Sequence, residues 1–189
     1  MVGIEDILRK ESTDVIQKFQ KYDMQICLLT GDRSAPAEYF AQKVGIEKVY
    51  SEVLPGDKAE VIKKLQGDKQ LVAMIGDGIN DAPALAVADV GMALGSGTDV
   101  AMEMSDVVIL RNDLHSVFNA WKLSQAVMRK IKQNLFWAFA YNMIGIPIAM
   151  GILYPFNGYL LNPMLAGAAM AFSSVSVVAN TLLLKKGEL

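Results

Sequence analysis

Short apolar runs alternate with amphipathic stretches through the first two-thirds of the chain, and the pattern then changes. Over Asp6–Lys21 the apolar residues Ile7, Val15, Ile16 and Phe19 sit among charges, which predicts a surface helix. Gln25–Thr30 (QICLLT) reads as a buried strand closed by Gly31. Ala35–Val44 is helical in pattern, and Gly45 is placed to cap it. Val49–Val53 predicts a short strand, and Asp57–Gln66 a lysine-faced helix ending at Gly67. Leu71–Ile75 (LVAMI) predicts a second buried strand that runs into the turn Gly76-Asp77-Gly78. A helix at Ala82–Ala88, a strand at Val90–Leu94, a helix at Asp99–Met104 and a strand at Val107–Leu110 follow. Strands alternating with helices at this spacing imply an α/β fold with a parallel, helix-covered sheet. In such a sheet the apolar runs are expected to be buried on both faces.

From Leu114 the reading is different. Leu114–Lys132 predicts a long amphipathic connecting helix without Gly or Pro, ending in Arg129, Lys130 and Lys132. Leu135–Leu153 then offers about 19 uncharged residues and Leu160–Leu184 about 25 more, each matching the roughly 20 needed to cross a bilayer. The connector Tyr154–Tyr159 holds Pro155, Asn157 and Gly158, the composition of a tight turn. The expected organisation is an α/β domain over 1–113, a connecting helix over 114–132 and a two-helix transmembrane hairpin over 133–189. Arg129, Lys130, Lys132, Lys185 and Lys186 flank the outer ends and no basic residue lies in the turn. Both termini are therefore expected on the cytoplasmic side, with the turn outside.

Charge follows the same division. Residues 1–114 carry 12 basic and 19 acidic side chains, net −7, and residues 115–189 carry 6 and one, net +5. An acidic first part leading into a basic, apolar last part suggests a soluble domain joined to a membrane, so a lipid bilayer is an expected partner. No basic–aromatic stripe points to nucleic acid. Cys27, the only cysteine, excludes an internal disulfide and reads as a buried strand residue. His115, also alone, reads as a surface or helix-start residue. Met1–Lys10 is short, mixed in charge and without an apolar core, unlike a signal peptide.

Three fragments of the first part suggest phosphate chemistry. Thr30-Gly31-Asp32 follows a strand, and ligands collect at the C-terminal ends of strands in parallel sheets. A hydroxyl and backbone N–H groups there suit a phosphoryl oxygen, although the same triplet is also read as a simple turn. Lys58, in Pro55-Gly56-Asp57-Lys58, stands at a helix start, where a positive charge and the helix N-terminus both favour anions; a solvated lysine is the plainer reading. In Gly76–Leu85 (GDGINDAPAL), Asp77 and Asp81 are two carboxylates in a tight turn after a strand. Carboxylates repel phosphate unless a cation lies between, and Mg²⁺ is held in this way.

TGD, PGDK and GDGINDAPAL, in this order and spacing, resemble the hinge and phosphorylation-domain motifs of P-type ATPases within the haloacid-dehalogenase fold. Val90–Leu110 (VGMALGSGTDVAMEMSDVVIL) resembles the heavy-metal branch of that family. The resemblance implies a partial haloacid-dehalogenase-like phosphorylation domain and an aspartyl-phosphate intermediate. By that resemblance Thr30, with Gly31 and Asp32, contacts the phosphate and Lys58 neutralises it. Asp77 binds Mg²⁺, with Asn80 and Asp81 supporting the site. The family's D-K-T-G-T nucleophile motif is absent from the sequence, so this chain is not expected to hydrolyse ATP alone. ATP itself requires a nucleotide-binding domain that is also missing, and the sheet is expected to be exposed along the gap left by the nucleophile strand.

Polar groups within apolar spans are functional candidates by default. Tyr141 and Asn142 lie in the first span; Met170 and Ser174, four apart on one helical face, lie in the second. A thioether favours copper(I) over hard cations, although Met also fills apolar gaps and Ser packs helices closely. Asn134 with Tyr141-Asn142, and Met170-Ala171-Phe172-Ser173-Ser174, resemble the signatures of copper(I)-transporting ATPases. The resemblance implies a partial copper(I) site at Tyr141, Asn142, Met170 and Ser174, without the family's C-P-C motif. It also implies a multi-pass protein of the cytoplasmic membrane that works with the missing N-terminal part of the pump. The alternative is a non-catalytic truncated chain that binds a complete pump or the missing half. A membrane-anchored phosphatase would need a D-x-D aspartate at a strand end, and none is present.

Overall fold

The computed structural model describes residues 8–67, 69–77, 79–95, 99–152, 154–158, 174–175 and 177–182. The chain divides into two compact units, Met1–Asn119 and Ala120–Leu189.

The first unit alternates helix and strand as its apolar pattern dictates: α1 (Ser12–Gln20), β1 (Cys27–Leu29), α2 (Ser34–Val44), β2 (Lys48–Tyr50), α3 (Lys58–Gly67), β3 (Ala73–Gly76), α4 (Ala82–Val87), β4 (Val90–Leu94), α5 (Asp99–Glu103) and β5 (Val107–Ile109). A single 3₁₀ turn, Ile79–Asp81, joins β3 to α4. Helix α2 stops where Gly45 adopts φ 82°. There the Gly45 N–H donates to Gln42 O and the Ile46 N–H to Ala41 O, the paired bonds that satisfy a helix C-terminus. Glu52, at φ 56°, turns the chain after β2, so this strand is shorter than the expected Val49–Val53. Helix α1 begins at Ser12, and Asp6 and Ile7 of the expected helix lie outside the described residues; ahead of α1, the Arg9 guanidinium donates to the carbonyl and side chain of Asn112.

All strand pairs are parallel, but they form two sheets: β1 with β2, and β3-β4-β5. The core gathers on the second sheet, where Ile62, Met74, Ala84, Leu85 and Ala101 are buried together. Small side chains let α4 lie close to β4. A Cβ on Gly91 would stand 2.5 Å from Leu85 O, so only glycine fits there.

Burial on both faces is not what β1 and β3 show. No residue of β1 is fully buried, and β3 alternates, with Ala73 and Ile75 exposed and Met74 and Gly76 buried. Leu71, expected inside the strand, is 89% exposed and precedes it. Among the described residues each of these strands pairs on one edge only.

Helix α6 (Leu114–Ala149) runs unbroken for 36 residues, joining the expected connecting helix to the expected first span. Asp113 caps it, accepting bonds from the Ser116 N–H and hydroxyl. Those bonds hold the Asp113 carboxyl below its ordinary pKa. The helix ends near Pro147, where Gly151 takes φ 84° and Gly151 and Ile152 N–H donate to Ile148 O and Pro147 O. The expected continuation to Leu153 is therefore cut short. Its uncharged part, Gln133 to Ala149, measures roughly 25 Å at ~1.5 Å per residue, short of a ~30 Å hydrocarbon core. Among the described residues no helix is long and apolar enough to cross a membrane. A single helical turn, α7 (Tyr154–Asn157), stands in the expected connector. Of the expected second span, only residues 174–175 and 177–182 are described, and they are helical; the rest lies outside the described residues.

Candidate functional site

Thr30 directly follows β1, so its position is set by the strand's C-terminal end. Its N–H donates to Tyr50 O and its carbonyl accepts from the Val53 N–H. Its hydroxyl donates to Asp32 Oδ2 at 2.7 Å and accepts from the Asp32 N–H at 3.1 Å. Thr30, Gly31 and Asp32 thus form a closed local turn, in which the hydroxyl must leave Asp32 before it can donate to a phosphoryl oxygen. Asp32 is also anchored through its carbonyl, which accepts from the Glu52 N–H. A Cβ on Gly31 would meet Val53 O at 3.4 Å.

Lys58 opens α3, and its side chain crosses to the turn after β3, where Nζ meets Asp81 Oδ1 at 2.6 Å. The two side chains are only 11% and 14% exposed. An ion pair this buried survives only with close geometry, because both charges have lost most of their water. Gly76 makes the geometry possible. A Cβ there would stand 2.8 Å from the Asp81 Cβ and 3.0 Å from its Oδ2, so any side chain would displace the carboxylate.

Asp77 and Asn80 flank this pair in the same turn, and both are exposed; Gly78 lies outside the described residues. One solvent-facing carboxylate beside a carboxylate already shared with lysine fits Mg²⁺, which keeps several waters and takes one or two carboxylates plus phosphate oxygens. The structure therefore joins Lys58 to Asp81, with Asp77 and Asn80 in the same turn as Asp81, and Thr30, Gly31 and Asp32 close on one another just after β1.

The second unit holds the other candidates. Tyr141 lies on α6, 47% exposed, with its ring 6.1 Å from that of Trp137. Asn142 donates back to Ala138 O at 3.0 Å within the helix. Ser174 is helical and exposed, and Met170 lies outside the described residues. Sequence reasoning missed a polar chain nearby. Lys130 Nζ and Asn134 Oδ1 both bond the Asn180 amide group, and the Asn134 Nδ2 donates to Thr181 Oγ1. No periodicity links residues some fifty positions apart, so only the Asn134 motif hinted at it.

Residues 1–89 match the haloacid dehalogenase-like hydrolase family model. Over 98% of its length the chain is 54% identical to the probable copper-transporting ATPase PacS of Synechocystis, covering 25% of that protein. It is 48% identical, over the same shares, to a copper-exporting P-type ATPase of Legionella pneumophila. Over nearly its whole length the chain is thus homologous to copper-transporting P-type ATPases. A solved zinc-transporting PIB-type ATPase in its E2.Pi state superposes with a TM-score of 0.83 at 33% identity, covering 95% of this chain and 28% of that one. The α/β unit of this chain is thus haloacid-dehalogenase-like. The chain spans about a quarter of the length of the curated relatives it matches.

Proposed function

We propose that this chain is the C-terminal part of an ATP-driven copper(I) exporter that works through an aspartyl-phosphate intermediate. The observation that carries the reading is the buried Lys58–Asp81 pair at the end of β3, in a chain so similar to copper-transporting ATPases. A lysine held in a mostly buried site by a short bond to one carboxylate is a fixed positive charge. Such preorganised charge stabilises a transferring phosphoryl group without reorganisation at the moment of reaction.

In this reading Thr30 and the backbone of Gly31 and Asp32 receive phosphoryl oxygens, and Lys58 neutralises them. Asp77 and Asp81 hold Mg²⁺, with Asn80 supporting the turn. The metal supplies charge neutralisation between phosphate and carboxylates. The nucleophilic aspartate of D-K-T-G-T and the domain that binds ATP lie outside this sequence, so the chain alone is inactive. The uncharged stretches, about 135–153 and 160–184, form a hairpin in the cytoplasmic membrane with both termini cytoplasmic. Tyr141, Asn142, Met170 and Ser174 supply part of a copper(I) site, for which the thioether and the absence of carboxylates are the chemical support.

The test is phosphorylation. The purified chain is incubated with γ-labelled ATP, Mg²⁺ and copper(I), with and without a fragment carrying D-K-T-G-T, and hydroxylamine-labile label is measured. Label should require the fragment. Label on the chain alone would place the nucleophile on an aspartate of this sequence and overturn the reading. A second reading, a truncated chain that binds the missing half or a complete pump without catalysis, is favoured by the division between β1 and β3.

A further inference from the structure

The polar side chains that join the two apolar stretches form a series with one direction. Lys130 Nζ donates to Asn180 Oδ1 at 3.2 Å, Asn180 Nδ2 to Asn134 Oδ1 at 2.8 Å, and Asn134 Nδ2 to Thr181 Oγ1 at 2.9 Å. The Thr181 hydroxyl closes the series on Val177 O at 2.8 Å. The first three links cross between α6 and the helical stretch 177–182. Lysine can only donate, so Lys130 turns the Asn180 oxygen toward itself and its Nδ2 toward Asn134, which in turn presents its own Nδ2 to Thr181. Lys130, Asn134 and Ala138 follow one another at one-turn spacing and so share a face of α6. All three are half-buried, whereas Ile131, Leu135, Phe136 and Phe139 are exposed. Opposite them, Val177 and Asn180 are half-buried as well.

Interhelical bonds of this kind hold helices together in apolar media. Their place along the chain does more. The midpoint between Asn134 and Thr181 falls between Asn157 and Gly158, where Gly158 takes φ 67° and its N–H donates to Tyr154 O. Two helices paired about a tight turn run antiparallel, so a step toward the turn on one is matched by an equal step back along the other. Tyr141 lies seven residues beyond Asn134, and Ser174 lies seven before Thr181. Seven residues rise roughly 10 Å and come within about 20° of two full turns. The bond between Asn134 and Thr181 therefore sets Tyr141 and Ser174 at one depth, each on the face of its helix that carries the bond. A slip of one turn would offset them by roughly 5 Å.

We propose that Lys130, Asn134, Asn180 and Thr181 form a latch that fixes the register of the two apolar stretches and holds Tyr141 level with Ser174. They are positioning residues, and none of them is a candidate ligand. The proposal rests on the reading of Tyr141, Asn142, Met170 and Ser174 as part of a copper(I) site. Donors carried by two helices make one ion site only while those helices keep their register.

Register is read by thiol cross-linking of the full chain in detergent. In a Cys27→Ser background, Tyr141→Cys is combined with Ser174→Cys as the level pair, or with Val178→Cys as a pair one turn out of step. A short bifunctional thiol reagent should link the level pair about fivefold faster or more, the bias that one interhelical bond can hold. Asn134→Leu should remove the preference, and so should Thr181→Val, which deletes only the hydroxyl and serves if Asn134→Leu loses helix content by circular dichroism. Asn134→Thr combined with Thr181→Asn rebuilds the bond with its partners exchanged and should restore the preference. Faster linking of the offset pair in the parent, a preference that survives Asn134→Leu and Thr181→Val, or a loss that the exchanged pair does not repair would overturn the proposal. The assay contains neither copper nor phosphate, so its failure is distinguishable from failure of the copper(I) reading.

Discussion

Replacing Asp81 with Asn tests whether the Lys58–Asp81 pair organises the site. The wild-type pair is held at 2.6 Å with side chains 11% and 14% exposed, so Asp81→Asn strands an ammonium group that has lost most of its water. Removing one member of a buried pair costs about 3–5 kcal/mol. The remaining exposure and the amide oxygen of Asn, which still accepts a neutral bond, reduce this to roughly 2–3 kcal/mol. Lys58→Met strands the carboxylate at a similar cost. The double variant leaves no buried charge, so its cost should fall short of the sum by about 1.5–3 kcal/mol. Hydrogen exchange of amides in β3 and β4 reads these changes directly. Each single variant should raise the exchange rate of the slowest amides by roughly 30–150-fold, at about 1.4 kcal/mol per factor of ten. Single-variant costs below ~0.5 kcal/mol, or a double variant that is additive to within ~0.5 kcal/mol, would show that the pair is a surface contact. The argument for a fixed cation would then fail.

Gly76→Ala places a methyl 2.8 Å from the Asp81 Cβ and should cost about 1–3 kcal/mol by crowding. Gly67→Ala, where a Cβ meets nothing within 4 Å, is the control, expected to be neutral or mildly stabilising in the same exchange measurement. Burial raises the Cys27 thiol above its ordinary pKa and Lys48 opposes this only in part. The raised value lowers the thiolate fraction at neutral pH, so the alkylation rate should reach its midpoint above the ordinary ~8.5; a midpoint at or below that value refutes the assignment. Gln125→Pro, inside α6, removes a helix bond at a cost of ~3 kcal/mol or more. In a complete pump carrying this segment it should abolish copper(I) transport while leaving phosphoenzyme formation, and unimpaired transport would disprove coupling through the helix.

The sequence made the alternation of strand and helix legible where an apolar run was closed by a residue with its own backbone reason, such as Gly45 at φ 82°. Its failures have physical causes as well. LVAMI carries the composition of a strand buried on both faces, yet β3 buries only Met74 and Gly76, because composition records the neighbours a strand suits rather than those it has. The expected break between Lys132 and Leu135 is absent, since a change from charged to apolar residues alters what surrounds a helix without interrupting its hydrogen bonds. Among the candidate residues, the turn at Gly76-Asp77 and the aspartate at 81 were legible as a unit from spacing alone. That Lys58 reaches Asp81 was not, because the contact joins a helix start to a turn 23 residues away, and the clue was a glycine whose missing Cβ leaves room for the carboxylate.

Apolar side chains are exposed in both units, and the patterns differ in a way that points to different surroundings. In β3 exposure alternates with burial along the strand, so one face of the strand is covered and the other is not. On α6, Leu135, Phe136, Trp137, Phe139, Tyr141, Met143 and Ile144 are 47–79% exposed, and at about 100° per residue they are spread over more than one face of the helix. A helix apolar on every side, with its backbone bonds already closed, asks for an apolar medium rather than a partner strand or a single packing face. In the proposed reading the deficit on α6 is met by lipid. Detergent should therefore shield α6 from exchange and leave Cys27 reactive.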